Sequence, residues 1–280
     1  MKNVLFLLIL TAFFACKRDE ELPLSLLPGR IAMHAQNGGS SQLNLKDNTH
    51  TPFSETALVR WSHDGSRLCI IDYSDGNLKY SIVDAETFVP ILKLNNHDNS
   101  SLCWSPDDKE VAYLEAYDSS IVRVDLQTQE KRVIHLPGHY LYNGGIDWSP
   151  DGQKFVFIAR NEINTESSLC TINADGTHFT TLVTGPFNFP RWSPDGTTIA
   201  FDNISNIYLI QADGSNKREF IRQAFNPCWS ADGSILMFTF IREETWTSSK
   251  IDIRAREIGG EQRERVIYDS NSISDWYPVE

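Results

Sequence analysis

Residues 191–196 read RWSPDG, and variants of this hexapeptide recur along the chain. The variants are RWSHDG at 60–65, CWSPDD at 103–108, DWSPDG at 147–152, CWSADG at 228–233 and a shortened DWYP at 275–278. Successive tryptophans in these motifs are 43, 44, 44, 37 and 47 residues apart. A sequence period of this length is typical of the four-stranded blades of a β-propeller.

The hexapeptide contains residues suited to a tight turn that follows a packed strand. We predict that its tryptophan fills the space between two blades, while proline fixes φ and glycine accepts a positive φ in the turn. The repeated motif aspartates are therefore interpreted as turn formers spread around a ring, and not as a row of catalytic carboxylates. These aspartates are Asp64, Asp151, Asp195 and Asp232.

Apolar strand patterns follow each motif, and no segment has the sustained 3.6-residue period of a helix. The second strand of each unit is predicted at 67–73, 110–116, 154–160, 198–203 and 235–241. A third and a fourth strand complete each unit, as in 121–129 followed by 132–136. The pattern predicts an all-β fold with four strands per repeat.

The two ends of the chain carry complementary parts of a sixth repeat. The stretches 30–35 and 42–47 match second and third strands but lack a preceding motif, whereas 272–278 contains a tryptophan strand without the strands that normally follow it. Joined, they make one blade, and closing the ring in this way removes open sheet edges. We therefore predict a six-bladed β-propeller over residues 30–280, closed by pairing the N-terminal strands with the C-terminal strand.

These repeats resemble the WD-like propeller repeats of the TolB family over residues 30–280. The resemblance rests on the WSPDG hexapeptides, on TIAF at 198–201 and on IYLIQADG at 207–214. TolB is a periplasmic partner of a peptidoglycan-associated lipoprotein, so the resemblance implies a location in the cell envelope and a binding role. The fold leaves other functions open, because the same propeller architecture serves many of them.

The N-terminal residues have the features of a targeting segment. Lys2 precedes an unbroken apolar run at 4–15, which is too short for a membrane-spanning helix but typical of a signal peptide. The pair Ala15-Cys16 resembles a bacterial lipobox, which predicts a signal peptide at 1–15 and a lipid on Cys16. Ordinary signal cleavage with an incidental cysteine is the alternative. Residues 16–29 are then predicted to be a tether between the lipid and the propeller.

The net charge and the cysteine positions exclude two classes of site, one for nucleic acid and one for a metal. A formal net charge of −12 argues against nucleic acid, because no basic surplus exists to neutralise phosphates. The remaining cysteines lie inside apolar strand patterns without metal-binding spacing, and we predict that they are core residues. They are Cys69, Cys103, Cys170 and Cys228.

Candidate ligand-binding residues are predicted on the face of the disc that lies away from the motif turns. Irregular stretches such as 137–145 and 242–249 are expected to form loops there. Aromatic side chains on loops held by a rigid scaffold are a common binding arrangement. The candidates are His97, His139, Tyr140, Tyr142, Phe187, Phe189, Phe225 and Trp246. For the three phenylalanines the alternative is packing at the channel mouth and between blades, whereas Trp246 is not explained by the repeat.

Patterns typical of catalysis are missing from the sequence, which has no nucleophile elbow, P-loop or dinucleotide fingerprint. His34, His97 and His139 could approach one another, but no carboxylate partner is evident, so neither a metal nor a cofactor is predicted. We predict a non-enzymatic binding scaffold, anchored by its lipid in the periplasm or outer membrane, for an envelope protein or glycan. The alternative is a carbohydrate-active enzyme with its site at the channel mouth, because related propellers include oligogalacturonate lyases.

The residue before each motif tryptophan follows a pattern of its own. Around the ring these residues are Arg60, Cys103, Asp147, Arg191, Cys228 and Asp275. In a closed ring Asp275 comes one blade before Arg60, just as Asp147 comes one blade before Arg191. We predict two structural ion pairs at these positions, because partly buried charges need partners. Cys103 and Cys228 should face each other across the channel without forming a disulfide.

Overall fold

The computed structural model describes most of the chain from residue 21 onwards. The described residues are 21–23, 26–27, 29–35, 40–54, 58–72, 79–95, 101–115, 119–136, 139–161, 166–203, 205–244, 249–269 and 271–277. Within these ranges no helix is long and apolar enough to cross a membrane. The predicted signal peptide and Cys16 lie outside the described residues.

The regular elements of the described residues are β-strands. The first three are β1 (Arg30–Ala35), β2 (Ser40–Asn44) and β3 (His50–Ser54). Blade 1 contains β4 (Leu58–Trp61), β5 (Arg67–Asp72), β6 (Lys79–Asp84) and β7 (Pro90–Asn95). Blade 2 contains β8 (Leu102–Trp104), β9 (Glu110–Glu115), β10 (Ser120–Asp125) and β11 (Lys131–His135). Blade 3 contains β12 (His139–Trp148), β13 (Lys154–Asn161), β14 (Ser167–Asn173) and β15 (Thr180–Thr184). Blade 4 contains β16 (Asn188–Trp192), β17 (Thr198–Asp202), β18 (Asn206–Gln211) and β19 (Arg218–Arg222). Blade 5 contains β20 (Ala224–Trp229), β21 (Ile235–Glu244), β22 (Ser249–Glu257) and β23 (Glu264–Asp269), and the last strand is β24 (Asn271–Tyr277).

The strands of the described residues make six four-stranded antiparallel sheets. Five sheets use consecutive strands, and the sixth has the order β24-β1-β2-β3. The C-terminal strand is thus the inner strand of blade 6, with Ile31 opposite Trp276 and Arg30 opposite Tyr277. The predicted all-β, six-bladed propeller and its split closing blade are both confirmed.

The hydrophobic core is divided among the junctions between blades. Between blades 6 and 1, for example, Ala32 packs with Trp61 and Leu68. Each motif tryptophan packs against the blade before its own, as predicted. Five of them are between 3% and 7% exposed, namely Trp61, Trp104, Trp148, Trp192 and Trp276. Trp229 is only partly buried.

The four described cysteines are buried and free, which confirms the prediction that they are core residues. Burial raises the pKa of the Cys170 thiol to about 11. The same cause raises the pKa of Cys69, Cys103 and Cys228. Thiols of this kind stay protonated at neutral pH and act as small apolar side chains.

Motif serine and aspartate side chains hold the turns. In blade 4, Ser193 Oγ donates to Asp195 Oδ1 over 2.6 Å, and the Thr197 N–H donates to the same oxygen over 3.0 Å. The same serine oxygen accepts the Thr198 N–H at 2.9 Å. Blades 1, 3 and 5 repeat the serine-to-aspartate bond. The interpretation of these aspartates as turn formers is confirmed.

Part of the predicted tether packs onto the propeller instead of extending away from it. Leu22 and Leu27 are 0% and 1% exposed and belong to the core cluster between blades 5 and 6. The Leu22 N–H donates to the Glu264 carbonyl, and the Leu22 carbonyl accepts from Arg265 Nε. Leucines in this segment can bury apolar surface that a solvated tether would leave in water. The other domain boundaries stay predictions.

The turns of blades 1 and 2 each depart from the motif at one position, and these two departures touch each other. His63 stands in blade 1 where blades 2, 3 and 4 have proline, and Asp108 stands in blade 2 where blades 1, 3, 4 and 5 have glycine. Asp108 keeps the left-handed backbone of that glycine, with φ 55°. Its carboxylate accepts the His63 N–H at 2.9 Å, His63 Nδ1 at 2.8 Å and the Asp64 N–H at 2.8 Å.

The same two motif positions meet elsewhere in the ring as proline and glycine. A Cβ on Gly196 would lie 3.4 Å from Pro150, and a Cβ on Gly233 would lie 3.4 Å from Pro194. Proline could not supply the N–H that His63 gives to Asp108. The van der Waals contact seen at these two junctions is therefore replaced by three hydrogen bonds between blades 1 and 2. We call this pair the His63–Asp108 clasp.

We predict that the clasp residues are energetically coupled. Asp108→Gly should lower the free energy of unfolding by about 2–3 kcal/mol, because it leaves donors of blade 1 without their acceptor. His63→Pro should also destabilise, since it removes two donors from the buried Asp108. The double variant restores the common motif, so its loss should be smaller than the sum of the single losses by about 1 kcal/mol or more.

Urea unfolding of the four proteins measures this coupling. Asp108→Gly combined with Asp195→Asn, in the distant blade 4 turn, is the control and should give additive losses. Additive losses for the His63→Pro and Asp108→Gly pair would contradict the clasp.

Candidate functional site

The inner strands of the six blades converge on a cavity at the end of the channel where the motif turns lie. Its volume is about 370 Å³, and it is lined by the six motif tryptophans, by the residues before them and by the adjoining turns. Pockets of this size are large enough for small ligands. The lining therefore combines apolar indole walls with the charges of Arg60, Asp147, Arg191 and Asp275.

The residues before the tryptophans are held in a pattern that repeats every three blades. Asp275 Oδ2 accepts the Trp61 N–H at 2.9 Å, and Asp147 Oδ2 accepts the Trp192 N–H at 2.8 Å. Each aspartate thus bonds to the next blade. The indole N–H groups of Trp104 and Trp229 donate, each over 3.2 Å, to the carbonyls of Arg60 and Arg191. Backbone and indole donors fix the ring without using the guanidinium groups.

The two predicted ion pairs are wrong. Within the described residues no ion pair within 4.0 Å joins Asp275 to Arg60 or Asp147 to Arg191. The aspartates do reach the next blade, but there each accepts a hydrogen bond from a backbone N–H, that of Trp61 or Trp192, and does not contact the arginine. Arg60 instead extends towards blade 3, where its Nη2 lies 3.4 Å from the Ile146 carbonyl. The predicted absence of a Cys103–Cys228 disulfide is confirmed.

Two acids in the cavity bind protons more tightly than usual. Burial raises the pKa of Asp147 to about 6, although the charge of Arg60 and the Trp192 N–H oppose the rise. Burial also raises the pKa of Asp275, with Arg60 and the Trp61 N–H opposing it. A change of pH around 6 therefore changes the charge of Asp147 and of the cavity.

His63 links the clasp to the cavity. Burial would lower the pKa of His63, but the Asp108 hydrogen bond and the charges of Asp108, Asp147 and Asp275 outweigh burial and raise it. The His63 side chain is 56% exposed, whereas that of Asp108 is 7% exposed. The cavity therefore contains a histidine and two aspartates that titrate at unusual pH values, which is common at functional sites.

The residues predicted on the opposite face are placed only in part. His97 and Trp246 lie outside the described residues. His139, Tyr140 and Tyr142 belong to β12, and their side chains, like that of His34, lie outside the described part of the molecule. Their binding role stays a prediction.

Phe187 packs inside the propeller. It is 4% exposed, and its ring meets the edge of Phe201 at a centroid distance of 4.9 Å. Lys217 Nζ lies 4.7 Å from the Phe187 ring centroid. This burial supports the packing alternative that the sequence left open. Phe189 and Phe225 are partly buried.

Several of these positions are in strands and not in the predicted loops. The stretch predicted as a loop at 137–145 largely belongs to β12, while Phe189 and Phe225 lie in β16 and β20. The three inner strands each contain a bulge, three residues before the tryptophan, with positive φ at Gly145, Phe189 and Asn226. Gly145 fits because a Cβ there would lie 3.0 Å from Pro190 of the next blade. A bulge lets an irregular sequence continue as a strand.

The sequence pattern indicated a site on the opposite face and structural roles for the residues that line the cavity. The signal was present in the alternation of arginine, cysteine and aspartate before the tryptophans, because three chemically different residues recur in order. The sequence could not show which of the charged side chains in the cavity lack a partner. The pairing depends on the conformations of the Arg60 and Arg191 side chains.

We predict that Asp147 makes stability depend on pH. Because folding raises its pKa to about 6, the folded state holds the proton more tightly, and the free energy of unfolding should fall as pH rises from about 4 to about 6. Asp147→Asn keeps an oxygen for the Trp192 N–H but does not titrate. It should reduce that fall by about 3 kcal/mol, measured by urea unfolding across the pH range.

Asp151→Asn is the matched control. Hydrogen bonds from Ser149 and the Gln153 N–H lower the pKa of Asp151, so its contribution is lost only as pH falls below the usual carboxylate range. The decrease between about pH 4 and about pH 6 should persist in this variant. An unchanged decrease in Asp147→Asn would contradict the raised pKa.

Comparison with known proteins places the chain in a family. Residues 90–263, more than half of the chain, match the family model described as the TolB beta propeller domain. Protein hir1 of Schizosaccharomyces pombe is 34% identical over 128 residues, which are 41% of this chain and 13% of that protein. The uncharacterized peptidase YuxL of Bacillus subtilis is matched over 16% of its length. The chain therefore spans a small part of the curated relatives that it matches.

Solved structures share the fold at low identity. TolB from Acinetobacter baumannii superposes with a TM-score of 0.70 and 14% identity, covering 90% of this chain and 67% of that chain. An oligogalacturonate lyase in complex with manganese superposes with a TM-score of 0.57 and 18% identity, covering 90% of this chain and 75% of that chain. Such likeness shows the architecture and leaves function to the site. By the family match and the six-bladed ring, the chain belongs to the TolB β-propeller domain family.

Proposed function

We propose that this protein is a lipid-anchored binding scaffold of the cell envelope, and that its partner, a protein or a glycan, docks at the channel cavity. The observation that carries the proposal is the nearly buried Arg191 in an indole-lined cavity of about 370 Å³. Aromatic and arginine side chains in partly enclosed sites are the groups that contribute most to binding energy. Rigid turns surround them, so little conformational entropy is lost on binding.

Hydrogen bonds within the motif turns make the rim of the channel cavity rigid. Motif aspartates anchor their own turns, and the His63–Asp108 clasp ties two turns together. Ala231 and Pro194 are exposed on those turns and line the cavity. A partner could therefore contact the rim while one of its groups enters the cavity.

Partner contact can be located by photo-crosslinking in envelope extracts. We expect a benzophenone amino acid at Ala231 to form an adduct, because this position lines the cavity. The same group at Val133, which is 47% exposed on the outer strand of blade 2, should not. Arg191→Met should weaken the adduct at Ala231.

A crosslinker at Phe225 tests whether the partner binds the opposite face of the disc. It lies in β20 at the end away from the motif turns, so an adduct at Phe225 without one at Ala231 would move the partner to the opposite face and contradict this proposal. Adducts of equal strength at Ala231 and Val133 would also contradict it.

The lipid anchor is the second element of the proposal. It is supported by the apolar run at 4–15 that ends in Ala15-Cys16. Cys16→Ser should release the protein from the membrane fraction, because the acyl chains supply the membrane affinity. Cell fractionation measures the release, with Cys170→Ser as the matched control that should stay with the membrane. Retention of Cys16→Ser in the membrane would contradict the anchor.

A carbohydrate-active enzyme is the second candidate. The raised pKa values of Asp147 and His63, both of which line the cavity, favour it, since such groups serve as general acids and bases. In the described residues no group of three or more His, Cys, Asp or Glu side chains is placed to hold a metal ion, so they do not fit the manganese named for the lyase. Turnover of oligogalacturonate by the protein but not by Asp147→Asn would support this alternative over the binding role.

A further inference from the structure

Arg191 has no acidic partner although it is nearly buried. The residue is 8% exposed, and within the described residues no carboxylate lies within 4.0 Å of its guanidinium. Its Nε is buried without a hydrogen-bond partner, and its Nη1 makes a single 3.5 Å bond, to the carbonyl of the adjacent Pro190. A guanidinium stays charged in proteins, so a buried one without a counter-charge is unfavourable.

The equivalent arginine across the ring is in a different situation. Arg60 stands three blades from Arg191 and reaches the Ile146 carbonyl of blade 3. Burial raises the pKa of Asp147 and Asp275, and the charge of Arg60 opposes both rises. Its charge is therefore opposed by the two carboxyl groups. Asp147 could have served Arg191, but its Oδ2 accepts the Trp192 N–H. The Arg-Cys-Asp order, which occurs twice around the ring, thus leaves Arg191 without a carboxylate in contact, on the blade 4 side of the cavity.

The surroundings of Arg191 suit a ligand with an apolar body. Trp229, which is only partly buried, donates its indole N–H to the Arg191 carbonyl over 3.2 Å, so the two residues are adjacent in the wall. Pro194 and Ala231 continue the lining on the same side. An apolar group could rest on this wall while a polar end reaches the guanidinium.

Charge selects among anions. A monoanionic carboxylate would compensate one guanidinium and could accept two parallel N–H bonds from it. A dianionic phosphate would add a surplus negative charge in a cavity that already holds Asp147 and Asp275. A carboxylate is therefore the better match.

We propose that the channel cavity binds a small organic carboxylate, with its oxygen atoms on the free N–H groups of Arg191 and its apolar body against Trp229. The inference deepens the proposed function and rests on it in one respect, since both use the same cavity. It adds the chemical class of the group that enters.

Calorimetric titration of the full chain with phenylacetate tests the inference, and phenylacetamide is the neutral probe of the same shape. We expect saturable binding of phenylacetate at millimolar concentrations and at least tenfold weaker binding of phenylacetamide. Arg191→Met should weaken phenylacetate binding by about tenfold or more, and Arg191→Lys should fall between, because lysine keeps the charge but loses the planar fork. Lys131→Met removes an exposed cation on the outer strand of blade 2 and should leave the affinity unchanged.

A stability readout separates binding from a structural role. Replacing an uncompensated buried charge by a similar-sized apolar side chain should leave the melting temperature of Arg191→Met equal or higher. A marked decrease would show that Arg191 also supports the fold, and the two probes would then decide whether it binds a carboxylate. If that variant does not fold, the comparison of the two probes on the unaltered protein and on Arg191→Lys still decides.

Equal affinities for phenylacetate and phenylacetamide would overturn the inference, and so would the lack of saturable phenylacetate binding. Failure of the proposed function looks different. An adduct at Ala231 without phenylacetate binding would leave the scaffold role intact and remove the carboxylate. Phenylacetate binding without an adduct at Ala231 would support the carboxylate site and contradict the scaffold role.

Discussion

The contact between each motif tryptophan and the preceding blade is the interaction on which the rest of the structure depends. A four-stranded sheet of this size cannot bury its apolar faces alone, so each blade is stable only between two neighbours. The junction between blades 6 and 1 is made by β24 and β1, which come from opposite ends of the chain. Closing that junction supplies Trp61 with the partner surface that the other tryptophans receive from consecutive blades.

Closure also fixes the geometry of the channel. Because the inner strands all end at the same face, the residue before each tryptophan is brought to a common ring, and side chains from neighbouring blades come within hydrogen-bonding distance. The two bonds from tryptophan N–H groups to Asp147 and Asp275 sit three blades apart and share one geometry. The ring therefore has an internal twofold pattern in its backbone links. The charged groups do not follow this twofold pattern. The charge of Arg60 acts on Asp147 and Asp275, whereas Arg191 Nε is buried without a hydrogen-bond partner.

Membership of the TolB β-propeller domain family describes the scaffold and not the chemistry at its centre. The same architecture, at comparably low identity, is found in a TolB and in an oligogalacturonate lyase. Function on such a scaffold is set by the side chains of the site and not by the fold. In this chain those side chains are an unpaired guanidinium, two protonatable acids and a histidine held by a neighbouring blade. The proposed carboxylate site rests on these charges as well as on the shape of the cavity.

The amino-acid sequence by itself determined the number of blades, the split closing blade and the role of the motif turns. These follow from the regular spacing of tryptophans and from local turn chemistry, which act over a few residues and repeat. It also determined that the cysteines are core residues, since each lies in an apolar strand. It did not determine the strand nature of β12 or the placement of Phe189, because a bulge lets an irregular stretch continue a ladder. Nor did it reveal that Leu22 and Leu27 pack on the propeller. Only the tertiary structure decided the partners of the ring charges, because hydrogen bonds between blades join residues far apart in sequence and the nearest donor to Asp147 is a backbone N–H of the next blade.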